Sequence, residues 1–295
     1  LRLDIEQTLF GLEEPSRPDP GEGSVSTLAP GNVSVQPEEG KTPAASGPNV
    51  MDIDFDALIA NETDSTLKDM HEYFRDRTPT EKNQYTGMFQ GKNLLLFTGE
   101  AFWIGAVNEQ YTPTLYKLAH SGFVFENFYN PLWYYSTVDG EYAATTGLIP
   151  TNQVNASQRY AGKNGVSMYF SMGNQLRALG YPTLAYHNNT ANYYDRNLSH
   201  PNLGYDFYAC DTGLDVAMTW PQSDLEMMQL TLPQALAGEK PFHNYYMTVS
   251  GHMNYSFAGN AMSAKHRDEV ADLDMSEAAR AYLACNMELD QALEY

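Results

Sequence analysis

The sequence predicts an α/β fold, a mostly parallel sheet flanked by helices on both faces, and three observations predict it. The run Leu94–Phe97 is short and wholly apolar, as a strand covered on both faces should be. Two further short strand-like runs, Thr183–Tyr186 and Tyr245–Val249, end at residues able to do chemistry, His187 and Ser250-Gly251-His252. Stretches of helical period separate these runs, and strands alternating with helices favour parallel pairing. No internal repeat is present.

Taken in order, residues 1–50 read as a flexible linker. Positions 14–49 are rich in Pro, Gly, Ser and Glu and show no hydrophobic periodicity. Residues 51–90 read as a helical connector that packs onto the main domain. Ile53, Phe55, Leu58, Ile59, Leu67, Met70 and Tyr73 recur on a roughly helical period, and Thr78-Pro79-Thr80 ends the pattern because proline cannot continue a helix. Residues 91–295 form the main domain. After the first strand, Thr112-Pro113-Thr114 starts a helix through Lys117 and Ala119, with proline at a favoured first-turn position. Phe123–Phe128 alternates aromatic and polar residues, the period of a strand. Ser167–Leu179 is an amphipathic helix ending at Gly180. Leu225–Ala237 is a helix that Pro233 should kink or divide. Met275–Tyr295 is a helix that runs to the last residue.

Composition limits the function. With 42% hydrophobic and 13% aromatic residues, the 295-residue chain can bury a sizeable core. Its 21 tyrosines against 13 phenylalanines suit half-wet surfaces and pocket walls. Thirty-seven acids against 17 bases leave a formal charge of −20, which repels polyanions and argues against nucleic-acid binding. An anionic substrate needs a bound cation or local bases to reverse that field at the site. Cys210 and Cys285 have no metal-type spacing and read as free buried thiols. No apolar run approaches the ~20 residues that span a bilayer. The start, Leu1-Arg2-Leu3-Asp4, has no initiator methionine and no signal peptide and reads as a cut.

In open α/β sheets functional side chains gather beyond the carboxyl ends of the strands. Glu100, His187 and His252 all fall there. Taken singly, a glutamate after a strand also suits the first turn of a helix. The segment Ser136-Thr137-Val138-Asp139-Gly140-Glu141 reads equally as a helix cap followed by first-turn acids and as a nucleophile turn. The two are compatible, because a helix N-terminus aims N–H groups at an anion near the cap hydroxyl. A threonine hydroxyl is a poor nucleophile at neutral pH, and coordination to a metal lowers its pKa. The segment from His187 to Arg196 holds a histidine, Tyr193, Tyr194 and an arginine. That set suits phosphate recognition with Tyr194 walling a small polyol, and equally a surface loop with a salt-bridged arginine.

These motifs in this order resemble the extracellular domain of lipoteichoic acid synthases and related phosphoglycerol transferases, in the sulfatase and alkaline phosphatase superfamily. The resemblance runs from about Asn93 to Tyr295. Gly91–Glu100 is similar to the strand that bears the family's metal-binding glutamate, and Thr112–Leu118 to the helix before its aromatic strand. Ser136–Tyr142 is similar to the nucleophile turn, His187–Arg196 to the histidine-to-arginine segment, and Pro241–His252 to the strand carrying a substrate-binding histidine. Val138 stands where a serine is common, and Tyr194 where some members place tryptophan.

The resemblance implies a sulfatase/alkaline phosphatase-like α/β fold with its C-terminal part missing. It also implies Thr137 as nucleophile and metal ligand, Glu100 as metal ligand, and Arg196, His252, Tyr194 and His187 as substrate-binding residues. The implied cofactor is manganese or another divalent cation such as magnesium. The implied reaction moves glycerophosphate from phosphatidylglycerol to a polyglycerolphosphate or glycolipid acceptor, on a cell-membrane protein whose catalytic domain is extracellular and whose transmembrane helices lie upstream of this chain. The family completes its metal site with an Asp-His pair on a later strand, and no Asp-His dipeptide occurs here. Two ligands fall short of the usual three, so the chain is expected to be an inactive fragment. The alternatives are a sulfatase or phosphodiesterase hydrolase and a noncatalytic glycerophosphate-binding surface module. A formylglycine sulfatase is disfavoured, because threonine cannot give that aldehyde.

Overall fold

The computed structural model describes residues 46–125, 127–129, 137–238 and 240–295. They fall into two compact units that meet in sequence between Lys92 and Asn93. The linker expected over 14–49 lies, as far as residue 45, outside the described residues. In the smaller unit two helices, α1 (Phe55–Asn61) and α2 (Ser65–Arg75), stand where one helical connector was expected. The break has a local cause. Glu62 accepts from the Thr63 and Asp64 N–H groups, and the Asp64 carboxylate caps α2 through Thr66 and Leu67.

The larger unit is built on four parallel strands: β1 (Leu94–Thr98), β2 (Thr183–His187), β3 (Asp206–Ala209) and β4 (His243–Met247), in spatial order β1-β4-β2-β3. β4 is central and wholly buried. Around the sheet run α3 (Pro113–Ala119), α4 (Thr137–Thr146), α5 (Val154–Asn164), α6 (Met172–Ala178), α7 (Arg196–Asn202), α8 (Asp224–Leu236), α9 (Ala261–Lys265) and α10 (Glu277–Glu294). Strand alternation sends neighbouring side chains to opposite faces, and each face is covered. Tyr186 and Tyr246 pack with Met227, Met228 and Leu232 of α8, while Ala185, Tyr245 and Met247 pack with Leu203 and Tyr205.

Register adds an aromatic ladder. Phe97 pairs with Tyr246, Tyr246 with Tyr186, and Tyr186 with Tyr208, so one ring from each strand lies in a row. Their centroids are 5.2, 5.2 and 5.6 Å apart and the rings are stacked. Each such pair adds about 0.5–1.5 kcal/mol beyond its buried area. The ladder fixes the register, and the register sets which residues emerge together at the carboxyl edge.

Several expectations are corrected. β1 is an edge strand rather than one covered on both faces, with Leu94 and Leu95 36% and 40% exposed. Phe123–Phe128 forms no strand in its described residues, and Phe125 and Phe128 are exposed. Alternation is a local signal, whereas a strand requires a neighbour to pair with. The helix expected from Ser167 begins at Met172, because the Ser171 hydroxyl accepts the Asn174 N–H and caps it there. α8 runs past Pro233 undivided, since a proline in the last turn removes only one ladder bond. Cys210 and Cys285 are free thiols, the first only partly buried.

A buried carboxylate joins three of the helices. Glu288 of α10 accepts from the Ser223 hydroxyl at the cap of α8, from Lys265 Nζ at 2.6 Å, and is 2.7 Å from His266 Nε2 just after α9. Burial alone would raise its pKa. These partners outweigh that and hold it at about 2, against an ordinary 4.5. A carboxyl depressed in the folded state contributes stability that is complete above pH 4.5 and lost as pH falls toward 2. Glu288→Gln should therefore cost about 3 kcal/mol at pH 7, with the gap to the parent closing between pH 4.5 and 2. Urea unfolding across that range checks it, and a pH-independent gap would contradict the assignment.

Candidate active site

The carboxyl edge of the sheet opens onto a cavity of about 300 Å³. Glu100 lies two residues beyond β1, His187 ends β2, and His252 follows β4 by five residues. Thr137 arrives from outside the sheet as the first residue of α4. All four line the cavity, together with Tyr194 and Arg196. Each residue proposed for the site from sequence is thus brought to one place. Ser136, read as part of the cap, lies outside the described residues.

At the cavity floor the Thr137 hydroxyl donates to Glu100 Oε2 at 2.9 Å. His252 Nε2 is 3.9 Å from the other carboxylate oxygen. The end of β1 is held against the end of β4 by short polar links. Thr248 donates to the Thr98 carbonyl at 3.0 Å and accepts the Glu100 N–H at 3.0 Å. Gly251 rests on the Glu100 backbone so closely that a Cβ there would sit 2.6 Å from the Glu100 carbonyl oxygen, which requires glycine. Behind this loop the buried Asp224 carboxylate accepts from the Val249 and Ser250 N–H groups and from Asn188, tying the ends of β2 and β4 to the start of α8. Burial raises its carboxyl to about 6 despite those donors.

Arg196 is 2% exposed, and sequence reasoning missed its partner. Its guanidinium binds the buried Glu141 carboxylate through Nε and Nη2, and Nη1 lies 3.1 Å from His187 Nε2. Glu141 is one turn beyond Thr137 on α4, so a single ion pair fixes the threonine's helix to the arginine's. Arg196 and its neighbouring charges keep Glu141 ionised well below the usual carboxylate range even though it is fully buried. The Tyr194 and Tyr193 rings lie 5.2 and 5.8 Å from the guanidinium carbon.

His187 has both ring nitrogens engaged, Nδ1 with the Met247 carbonyl at 3.3 Å and Nε2 with Arg196. A donor on one side and an acceptor on the other specify the neutral Nδ1–H tautomer. Burial, then the Arg196 charge, lowers its pKa to about 3. His187 thus lines the cavity with its ring nitrogen on the Arg196 guanidinium.

Backbone strain gathers at the same place. The non-glycine residues with positive φ among those described are Ala101 (51°), Tyr194 (57°) and Asp195 (54°). Each is a site residue or adjoins one, and left-handed backbone at such residues costs about 1–3 kcal/mol each. No single-residue sequence signal announces them.

The architecture is a parallel sheet with flanking helices and a hydroxyl set against a carboxylate at its carboxyl edge, and its class is a sulfatase-like α/β fold. Residues 92–295 match the Sulfatase family profile, and the chain belongs to that family. It is 23% identical over 212 residues to lipoteichoic acid synthase 2 of Bacillus subtilis (strain 168), covering 67% of this chain and 31% of the relative. The fold matches the lipoteichoic acid synthase LtaP from Listeria monocytogenes with a TM-score of 0.57 and 20% identity, over 70% of this chain and 52% of that one. The chain therefore spans about a third of the curated relative and half of the solved one. A protein in the alkaline phosphatase superfamily from Vibrio parahaemolyticus gives a TM-score of 0.49 at 19% identity, over 69% of this chain and 50% of that one.

Sulfatase-family proteins generally depend on divalent metal. The donor chemistry here fits such an ion in part. Glu100 and Thr137 present hard oxygen donors converging at 2.9 Å, while no group of three or more His, Cys, Asp or Glu suited to hold a metal occurs among the described residues.

Removing the anionic half of the buried pair tests the scaffold. Glu141→Gln leaves Arg196 buried without its counter-charge and should lower the unfolding free energy by about 3–5 kcal/mol. Chemical denaturation measures this, and a loss below about 1 kcal/mol would show that the pair behaves as an exposed one.

Proposed function

We propose that the protein is a metal-dependent phosphoglycerol transferase, which takes glycerophosphate from phosphatidylglycerol and passes it to a polyglycerolphosphate or glycolipid acceptor. The observation that carries this is the Thr137 hydroxyl held 2.9 Å from Glu100 on the floor of a cavity of glycerophosphate size. The likeness to proteins described as lipoteichoic acid synthases supports the substrate class.

Thr137 is the nucleophile. Its oxygen forms a bond to the phosphorus of phosphatidylglycerol, the bond from phosphorus to the lipid oxygen breaks, and diacylglycerol leaves with a proton. The glycerophosphoryl-threonine so formed is attacked by an acceptor hydroxyl, and Thr137 regains its proton. Splitting one displacement into two lowers each barrier. Glu100 takes the hydroxyl's hydrogen bond and fixes its direction. Arg196 has four of its five N–H groups engaged by Glu141, His187 and Tyr193, and it offers the phosphate the one that remains on Nη2. His252 orients the glycerol hydroxyls from the β4 side, and Tyr194 walls the pocket from the other. Manganese, or another divalent cation such as magnesium, held by Glu100 and Thr137, would lower the hydroxyl pKa and screen the phosphate.

Among the described residues Glu100 and Thr137 are the two such oxygens that converge, and the sequence has no Asp-His dipeptide. We accordingly expect the segment by itself to hold metal weakly and to turn over poorly. No helix among the described residues is long and apolar enough to cross a membrane. In this proposal the domain works at the outer side of the cell membrane, a reading supported by the likeness to lipoteichoic acid synthases.

In the intact protein, Thr137→Ala should cut diacylglycerol release from phosphatidylglycerol vesicles by about 10³-fold or more, with an unchanged circular dichroism spectrum. Turnover equal to the parent would remove Thr137 from its role.

A further inference from the structure

The cavity lining is chemically mixed. Thr98, Glu100 and Thr137 line it with polar groups, and the Glu100 carboxylate there calls for a cation before a phosphate can bind. Its sides include Tyr193 and Trp220, each about half exposed and supplied by separate loops. Trp220 was not among the residues singled out from sequence. At about 300 Å³ the cavity leaves room beside one phosphate group for a small carbon skeleton.

Trp220 is held in place. Its carbonyl accepts the Ala261 N–H at 2.9 Å, and Asn260, the cap of α9, donates to the His252 carbonyl at 2.8 Å. The Ser250 hydroxyl donates to the Gln222 carbonyl at 3.3 Å. The loop that carries Trp220 and the loop that carries His252 are thereby latched together. The indole meets the His252 imidazole edge to face, with centroids 5.0 Å apart and planes at 61°. Among the described residues its indole N–H has no hydrogen-bond partner. A fixed, half-exposed aromatic ring with an unused donor is suited to a ligand that is apolar on one side and hydroxylated at its tip.

We infer that Trp220 is a specificity-determining residue whose ring takes the C–H face of a glycerol-like polyol while its phosphate lies at the Glu100 and Thr137 side chains. This deepens the phosphoglycerol reading and rests on it: the polar floor alone distinguishes no phosphate from another, and the aromatic side selects the polyol ester.

Direct binding tests this without catalysis. Sn-glycerol 1-phosphate and inorganic phosphate are titrated by calorimetry, both in excess manganese, against the protein and its Trp220→Ala and Trp220→Phe variants, with folding checked by thermal melting. The parent should prefer glycerol phosphate by about three- to tenfold, the range of one aromatic contact. Trp220→Ala should bring that ratio near one by weakening glycerol phosphate alone, and Trp220→Phe should keep most of it. An unchanged ratio in Trp220→Ala overturns the inference, as does a parent that shows no preference or binds neither ligand. Failure of the transferase reading shows itself differently, as absent diacylglycerol release alongside an intact, Trp220-dependent binding preference.

Discussion

The site depends on one constraint: an oxygen from the start of a helix must meet an oxygen from the end of an edge strand. Thr137 and Glu100 are 37 residues apart, and nothing local brings them together. β4 does so indirectly. Thr248 bonds to both Thr98 and Glu100, Gly251 lies flat on the Glu100 backbone, and Asp224 gathers the N–H groups of Val249 and Ser250 from behind. The aromatic ladder from Phe97 to Tyr208 holds the strands in the register that makes those links possible. Left-handed backbone at Ala101, Tyr194 and Asp195 is the strain carried at the place where these requirements conflict.

Electrostatics explains why such a site calls for a cation. Arg196 is the one Lys or Arg among the described residues lining the cavity, and Glu141 already balances it. Glu100 adds a negative charge to a chain whose formal charge is −20. An anionic substrate would meet net repulsion unless positive charge is supplied, and in the proposed reaction a metal held by Glu100 and Thr137 would supply it. Arg196, its fork closed on Glu141, ties the walls of the site together and adds no free positive charge.

Much of this was legible in the sequence, for identifiable reasons. A buried parallel strand leaves a short apolar run, so β2 and β4 were visible, and the residues just beyond them, His187 and His252, were marked by position. Glu100 and Thr137 stood out because an acid after an apolar run and a hydroxyl in a small-residue turn are local patterns. The Glu141–Arg196 pair was not legible, because it joins residues 55 apart and Glu141 looks like an ordinary first-turn acid. Trp220 was missed because no periodicity or motif surrounds it. Phe123–Phe128 misled because alternation says nothing of a partner, and β1 misled because an apolar run does not reveal whether its strand is central or at the edge.

The account stands most directly on whether Glu100 and Thr137 share one ion. Crystals soaked in manganese and measured at the manganese absorption edge answer this. The account predicts a single anomalous peak within bonding distance of both the Glu100 carboxylate and Thr137 Oγ. Peaks that touch only one of them, or manganese bound elsewhere with that floor left vacant, would contradict it.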